Sequence, residues 1–190
     1  MTYKFEKAKI FIVDDMKPML ELTKTVLTIF GFETIITEED PNRAYETICK
    51  ENPDLIITDW LMEPINGLEL TEKIRKNPLS PNPYVPILMM TGFSSRLHVE
   101  NARDIGVTEF IVKPFSAKDL YTRIVQIVEK PRQFIDAEGF FGPDRRRRSD
   151  DGYDGSRRRE NDESFNRLSQ EQQEKAEALL KKLREEAKDT

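Results

Sequence analysis

Cysteine and histidine are nearly missing from this chain: Cys49 and His98 are the only examples. One cysteine excludes an intramolecular disulfide, and with it the disulfide-stapled secreted class. Together the two residues are too few for a Cys/His zinc cluster. Long apolar runs are absent as well, since no stretch approaches the roughly 18 residues that a membrane span needs. The opening Met1-Thr2-Tyr3-Lys4 lacks the apolar core of a signal peptide. A soluble, cytoplasmic protein with no membrane partner is expected. Basic charge is not in excess either: 30 Lys and Arg face 35 Asp and Glu, a net charge of −5. A dedicated nucleic-acid binder is usually basic over a whole face, so that class is disfavoured.

What is present, up to about residue 130, is an alternation of short β-branched runs with helical patterns of 10–15 residues. This is the pattern of repeated strand-helix units and a parallel sheet. The spacing predicts strands over residues 9–13, 34–37, 55–58, 87–90 and 109–112. Apolar residues at helical intervals lie between them. They are Met19, Leu22, Val26, Leu27 and Phe30; Ala44, Tyr45, Ile48 and Cys49; Leu68, Leu70 and Ile74; Leu97, Val99, Ala102 and Ile105; and Leu120, Ile124, Ile127 and Val128. Pro18 and Pro41 suit first helical turns, and Gly31 and Gly106 suit helix ends. A chain of 190 residues holds one ordinary domain and an appendage.

Residues 131–165 read differently. Arginines at 145–148 and 157–159 are mixed with Asp, Glu, Gly and Ser. Such a polyampholyte linker is expected to be disordered. Residues 166–190 are rich in helix formers, with Ala176, Leu179, Leu180, Leu183 and Ala187 on one side. They predict a short amphipathic helix that could pack on the main domain, on a second copy of the chain, or on a partner helix.

The chemistry is concentrated at strand ends. Asp14 and Asp15 follow the first strand, Asp59 the third, Thr91 the fourth and Lys113 the fifth. In a parallel sheet these ends share one edge, which brings three carboxylates, a hydroxyl and an ammonium together. Two carboxylates 4 Å apart repel by about 4 kcal/mol at an effective dielectric near 20, so a cation belongs with them. Oxygen ligands without Cys or His favour Mg2+. A carboxylate beside such an ion can act as a nucleophile toward phosphorus, and phosphoryl transfer asks the protein chiefly for positioning and charge neutralisation. Alone, an Asp-Asp pair is usually a turn or a helix cap, and Thr91-Gly92 an ordinary turn. Their joint order decides for a site.

Asp14-Asp15, Asp59, Gly67, Thr91-Gly92 and Lys113-Pro114-Phe115 resemble the receiver domain of two-component response regulators, the CheY-like superfamily, over residues 8–130. The resemblance implies a doubly wound, flavodoxin-like α/β fold with a five-stranded parallel sheet ordered 2-1-3-4-5. It implies Asp59 as phosphoacceptor, with Mg2+ held by Asp14, Asp15, Asp59 and the backbone carbonyl of Leu61. Lys113 would pair with the phosphoryl oxygens and precede a cis proline, and Thr91 and Phe110 would form the switch. Phe110 stands where many relatives carry Tyr. Met62-Glu63-Pro64 places proline one position late and predicts an altered loop. Leu61 and Phe93 flank the acceptor and are expected to hinder the hydrolytic water.

The implied function is a phosphoacceptor switch rather than an enzyme. A sensor histidine kinase or histidine phosphotransfer protein would supply the phosphoryl group, and a downstream protein would be met through the fourth helix, fifth strand and fifth helix, or through the tail. No DNA-binding domain is recognisable after the receiver, and a homodimer is a further candidate assembly. The alternatives are a phosphate sink or relay intermediate, and an adaptor acting through its C-terminal tail. A phosphohydrolase of similar topology is disfavoured, since Leu61 stands where its general acid would be. His98 reads as a solvated or partly packed helix residue, Cys49 as packing, and Trp60 either as a partly exposed reporter of the site or as a purely structural residue.

Overall fold

The structure is a computed structural model that describes residues 5–92, 102, 104–137, 140–144, 174–178 and 181. Five parallel strands, β1 (Lys9–Val13), β2 (Thr34–Glu38), β3 (Leu55–Asp59), β4 (Ile87–Thr91) and β5 (Glu109–Val112), form one sheet in the order β2-β1-β3-β4-β5. This is the expected flavodoxin-like arrangement. The helices are α1 (Lys17–Ile29), α2 (Pro41–Glu51), α3 (Gly67–Lys76) and α4 (Ala117–Glu129). The last is the fifth helix of the sequence reading. Of the fourth, Ala102, Asp104 and Ile105 are helical, and the remainder, including Leu97, His98 and Val99, lies outside the described residues.

Side-chain alternation divides the core in two, as the pleat requires. Ile10, Ile12, Leu55, Ile57, Leu88, Met90 and Ile111 pack with α1 and α4. Phe11, Val13, Ile56 and Ile87 pack with α2 and α3 on the opposite face. Every residue of β3 and β4 is buried, so these strands read as continuous apolar runs, whereas β2, at the edge, is only partly covered. Helix ends are capped locally. Asp40 accepts from the Asn42 N–H, and Asn66/Glu69 and Ser116/Asp119 form capping boxes at α3 and α4. Asn52 at φ 46° ends α2, and Gly31 at φ 96° follows α1.

Two features lie beyond the five-stranded domain. Residues 134–143 belong to the stretch expected to be a disordered linker, but they form an antiparallel hairpin of β6 (Phe134–Ala137) and β7 (Phe140–Pro143). The physical reason is aromatic. Phe134 and Phe141 meet Tyr84 edge-on at ring-centroid distances of 5.2 and 5.3 Å. Arg75 also lies over the Phe134 ring at 5.1 Å. The arginines at 145–148 and 157–159 lie outside the described residues. Residues 174–178 are helical, and Ala176 is fully buried in the same cluster as α1 and α4 residues. The Glu177 carboxylate accepts from the Lys118 N–H at 3.4 Å. Of the three surfaces open to the terminal helix, residues 174–178 lie on the main domain; Leu179, Leu180, Leu183 and Ala187 lie outside the described residues.

Ala176→Glu would place a carboxylate in that enclosed position. Chemical denaturation of the full chain is expected to show a loss of about 1–3 kcal/mol. A loss within about 0.5 kcal/mol, the range of ordinary surface changes, would contradict the docking of this helix.

Candidate functional site

Strand order and register assemble the site. β1 lies beside β3 with Val13 opposite Thr58, so the next residues, Asp14 and Asp59, leave the sheet side by side. β4 follows on the other side of β3 with Asp59 opposite Met90, and Thr91 pairs with Val112 of β5, just before Lys113. Asp59 and Thr91 are the last residues of their strands, one position longer than the β-branched runs suggested.

Carboxylate oxygens of Asp14, Asp15 and Asp59 all lie within 4.8 Å of one another. Lys113 Nζ is 3.0 Å from Asp59 Oδ1 and 3.4 Å from Asp14 Oδ2. Asp14 is fully buried, Asp59 nearly so, and Asp15 exposed. Three carboxylates against one ammonium leave two negative charges to be balanced. Burial pushes the Asp14 carboxyl up to about 6, with the Lys113 charge opposing and the Asp59 charge adding to the rise. Burial likewise raises Asp59, against the pull of Lys113 and the Trp60 N–H. Oxygen-only donors, crowded, partly desolvated and short of positive charge, fit a hard divalent cation such as Mg2+. Asp14, Asp15 and Asp59 are the side chains that would hold it.

The backbone fixes these groups. Asp59 Oδ1 accepts from the Trp60 N–H at 2.8 Å, Asp14 Oδ1 from the Met16 N–H at 2.9 Å, and Asp15 Oδ2 from the Glu63 N–H at 3.2 Å. The Lys113 N–H donates to the Thr91 carbonyl at 2.7 Å, tying the fifth strand end to the fourth. Lys113-Pro114 is cis, and so is Glu63-Pro64 in the loop where the displaced proline predicted a change.

Gly67 has a distinct reason to be there. Its N–H donates to the Trp60 carbonyl at 3.0 Å. A Cβ would fall well inside contact with the Asp59 carbonyl oxygen and 3.1 Å from its carbon and from Thr58 Oγ1. Those neighbours are main chain and a buried strand side chain, so they have little room to give.

Thr91 is fully buried at the end of β4. Phe110 packs with Trp60, Met89, Ala102 and Val107, a cluster that runs from the neighbour of Asp59 to the start of β5. Trp60 itself is buried, which favours a structural role over that of a partly exposed reporter. Leu61 is 59% exposed on the rim, and Phe93 lies outside the described residues. Sequence reasoning missed the Glu63 N–H, because a main-chain donor leaves no mark on residue type.

Comparison with known proteins agrees with this geometry. The response regulator receiver domain family matches residues 10–125. The chemotaxis protein CheY of Pseudomonas aeruginosa is 32% identical over 122 residues, covering 64% of this chain and 97% of that protein. The phosphate regulon transcriptional regulatory protein PhoB of the same organism is 29% identical over 121 residues, or 64% of this chain. The chain spans 52% of the length of PhoB. Among solved structures, a putative response regulator from Chloroflexus aurantiacus superposes with a TM-score of 0.59 at 28% identity, covering 65% of this chain and 98% of that one. CheY4 of Vibrio cholerae gives 0.58 at 27% identity, covering 63% and 98%.

Two predictions follow from the pocket's charge and crowding. Asp14 holds its proton more tightly when folded (about 6) than at its ordinary value of 3.8. Its favourable contribution is therefore complete below about 4 and is lost as pH rises through about 6. In metal-free buffer Asp14→Asn is expected to remove this fall and to raise stability at pH 7 by roughly 1–3 kcal/mol. Denaturation curves at pH 4, 5, 6 and 7 check it; parallel wild-type and variant profiles would contradict it. Gly67→Ala is expected to displace the Asp59 carbonyl and cost about 1–3 kcal/mol. A variant with unchanged denaturation midpoint would refute the steric account.

Proposed function

The chain belongs to the response regulator receiver domain family, and from that premise we propose that it accepts a phosphoryl group on Asp59, with Mg2+, from a histidine kinase or phosphotransfer protein. The observation that carries the proposal is the placement of Lys113 Nζ 3.0 Å from Asp59 Oδ1 within a pocket of three carboxylates. In the reaction an Asp59 oxygen attacks the donor's phosphorus, the new O–P bond forms as the donor's P–N bond breaks, and the imidazole departs. Bound at the carboxylates, the cation supplies charge neutralisation for the phosphoryl oxygens. Asp14 and Asp15 would hold it together with Asp59 and, as the family resemblance implies, the Leu61 carbonyl. Lys113 orients the acceptor and then pairs with the phosphoryl group, while the Thr91 hydroxyl turns toward it. Trp60 N–H bonding to Oδ1 aims the carboxylate. The protein acts as a switch whose self-catalysed transfer and hydrolysis are its only chemistry.

Phe110 lies between this pocket and the start of β5 in one packed cluster. That position supports its role, with Thr91, in relaying phosphorylation to a downstream protein. A second reading, an adaptor acting through the C-terminal segments, is favoured by the hairpin and the buried Ala176, both outside the matched residues 10–125. No helix among the described residues is long and apolar enough to cross a membrane.

Incubating the full chain with Mg2+ and acetyl phosphate is expected to add the mass of one phosphoryl group, lost in Asp59→Asn and without the metal. Equal mass gain in the variant would move the acceptor elsewhere. Leu61, exposed two positions after the acceptor, limits water's approach. Leu61→Gln is expected to shorten the lifetime of the phosphorylated mass by about tenfold, or 1.4 kcal/mol of barrier. An unchanged decay would remove Leu61 from that role.

A further inference from the structure

The hairpin and its leader contact the start of β5, the strand whose other end runs into Lys113 of the pocket. Its leader, Arg132, donates to the buried Glu109 at 2.6 Å, and Arg123 of α4 approaches the same carboxylate at 3.6 Å. Phe134 of β6 stacks with Arg75, whose Nε donates to the Gly106 carbonyl at 3.1 Å and whose Nη1 donates to the Pro83 carbonyl at 2.7 Å. Gly106 and Glu109 bracket Val107 and Thr108, and Phe110 comes next. The hairpin and its leader thus reach both ends of the stretch from Gly106 to Glu109, the first residue of β5: Arg132 directly at Glu109, and Phe134 through Arg75 at Gly106.

β5 is only four residues long, with Glu109 at one end and Lys113 following the other. These grips are formed while Lys113 pairs with the carboxylates of Asp59 and Asp14. A phosphoryl group on Asp59 replaces that pairing and draws the ammonium to new oxygens. Strand β5 and the Phe110 cluster, which contains Val107, carry the displacement to Glu109 and Gly106. An ion pair at 2.6 Å tolerates little of it, because hydrogen bonds weaken steeply beyond about 3.2 Å. A two-stranded hairpin is marginal in water, and with the grip loosened this one keeps only its ring contacts to Tyr84.

We propose that the hairpin Phe134–Pro143 is a phosphorylation-sensitive latch, docked through Arg132–Glu109 and Phe134–Arg75–Gly106 and released when Asp59 is phosphorylated. The latch governs where the tail leaves the domain. Asp144, whose N–H closes the hairpin on the Gln133 carbonyl at 2.7 Å, is followed directly by four arginines. This inference rests on Asp59 being the acceptor.

The test is amide hydrogen exchange on the full chain with Mg2+, with and without acetyl phosphate, read in peptides covering residues 131–144 while intact mass gives phosphoryl occupancy. Phosphorylation is expected to raise hairpin exchange about threefold or more, with Asp59→Asn unresponsive. Arg132→Gln is expected to raise exchange before phosphorylation and to shrink the further increase. Full occupancy with hairpin exchange unchanged or slowed overturns the latch and leaves the acceptor intact. Absence of any phosphoryl gain overturns the acceptor and the latch together.

Discussion

Excess negative charge at the carboxyl ends of the strands is the constraint on which the rest of this structure depends. Asp14, Asp15 and Asp59 bring their oxygens within 4.8 Å, and Lys113 balances one charge of the three. Burial, opposed by the Lys113 charge and reinforced by that of Asp59, pushes the Asp14 carboxyl up to about 6. The fold tolerates this because main-chain donors from Met16, Trp60 and Glu63 each hold one carboxylate. A divalent cation would relieve the remainder. The uncompensated charge is a cost to stability that a bound cation would offset.

The sheet explains why such different residues converge. Strand order β2-β1-β3-β4-β5 sets β1 beside β3, so residues 45 positions apart, Asp14 and Asp59, leave adjacent strands in register. Gly67 turns the chain back tightly enough for its N–H to meet the Trp60 carbonyl, where any side chain would strike the main chain of Asp59. Packing and site geometry therefore meet at single positions: the glycine that packs is the glycine that shapes the loop after Asp59.

Much of this was legible in the sequence. β-branched runs of four or five residues separated by helical stripes gave the parallel sheet, and β1 and β5 fall where the pattern put them. Asp14, Asp15, Asp59 and Lys113 were readable because ionisable side chains just past apolar runs stand out. What lay hidden has physical reasons. The hairpin was masked by a composition poor in aliphatic residues, since Phe134 and Phe141 gain their burial from Tyr84 and Arg75, some 50 to 60 positions away. Glu109 carried no signal beyond opening a strand, and only tertiary contact with Arg132 and Arg123 makes it a buried ion-pair centre. Burial of Ala176 depends on a long-range return of the chain that no local periodicity encodes.

The most direct test of the charge account is calorimetric titration of the full chain with Mg2+ at pH 7 and pH 5. One ion is predicted to bind at pH 7, more weakly at pH 5 where Asp14 holds a proton, and with affinity reduced about tenfold or more in Asp14→Asn. Binding that ignores both pH and the substitution, or no binding at all, would contradict the claim that uncompensated carboxylate charge organises this pocket.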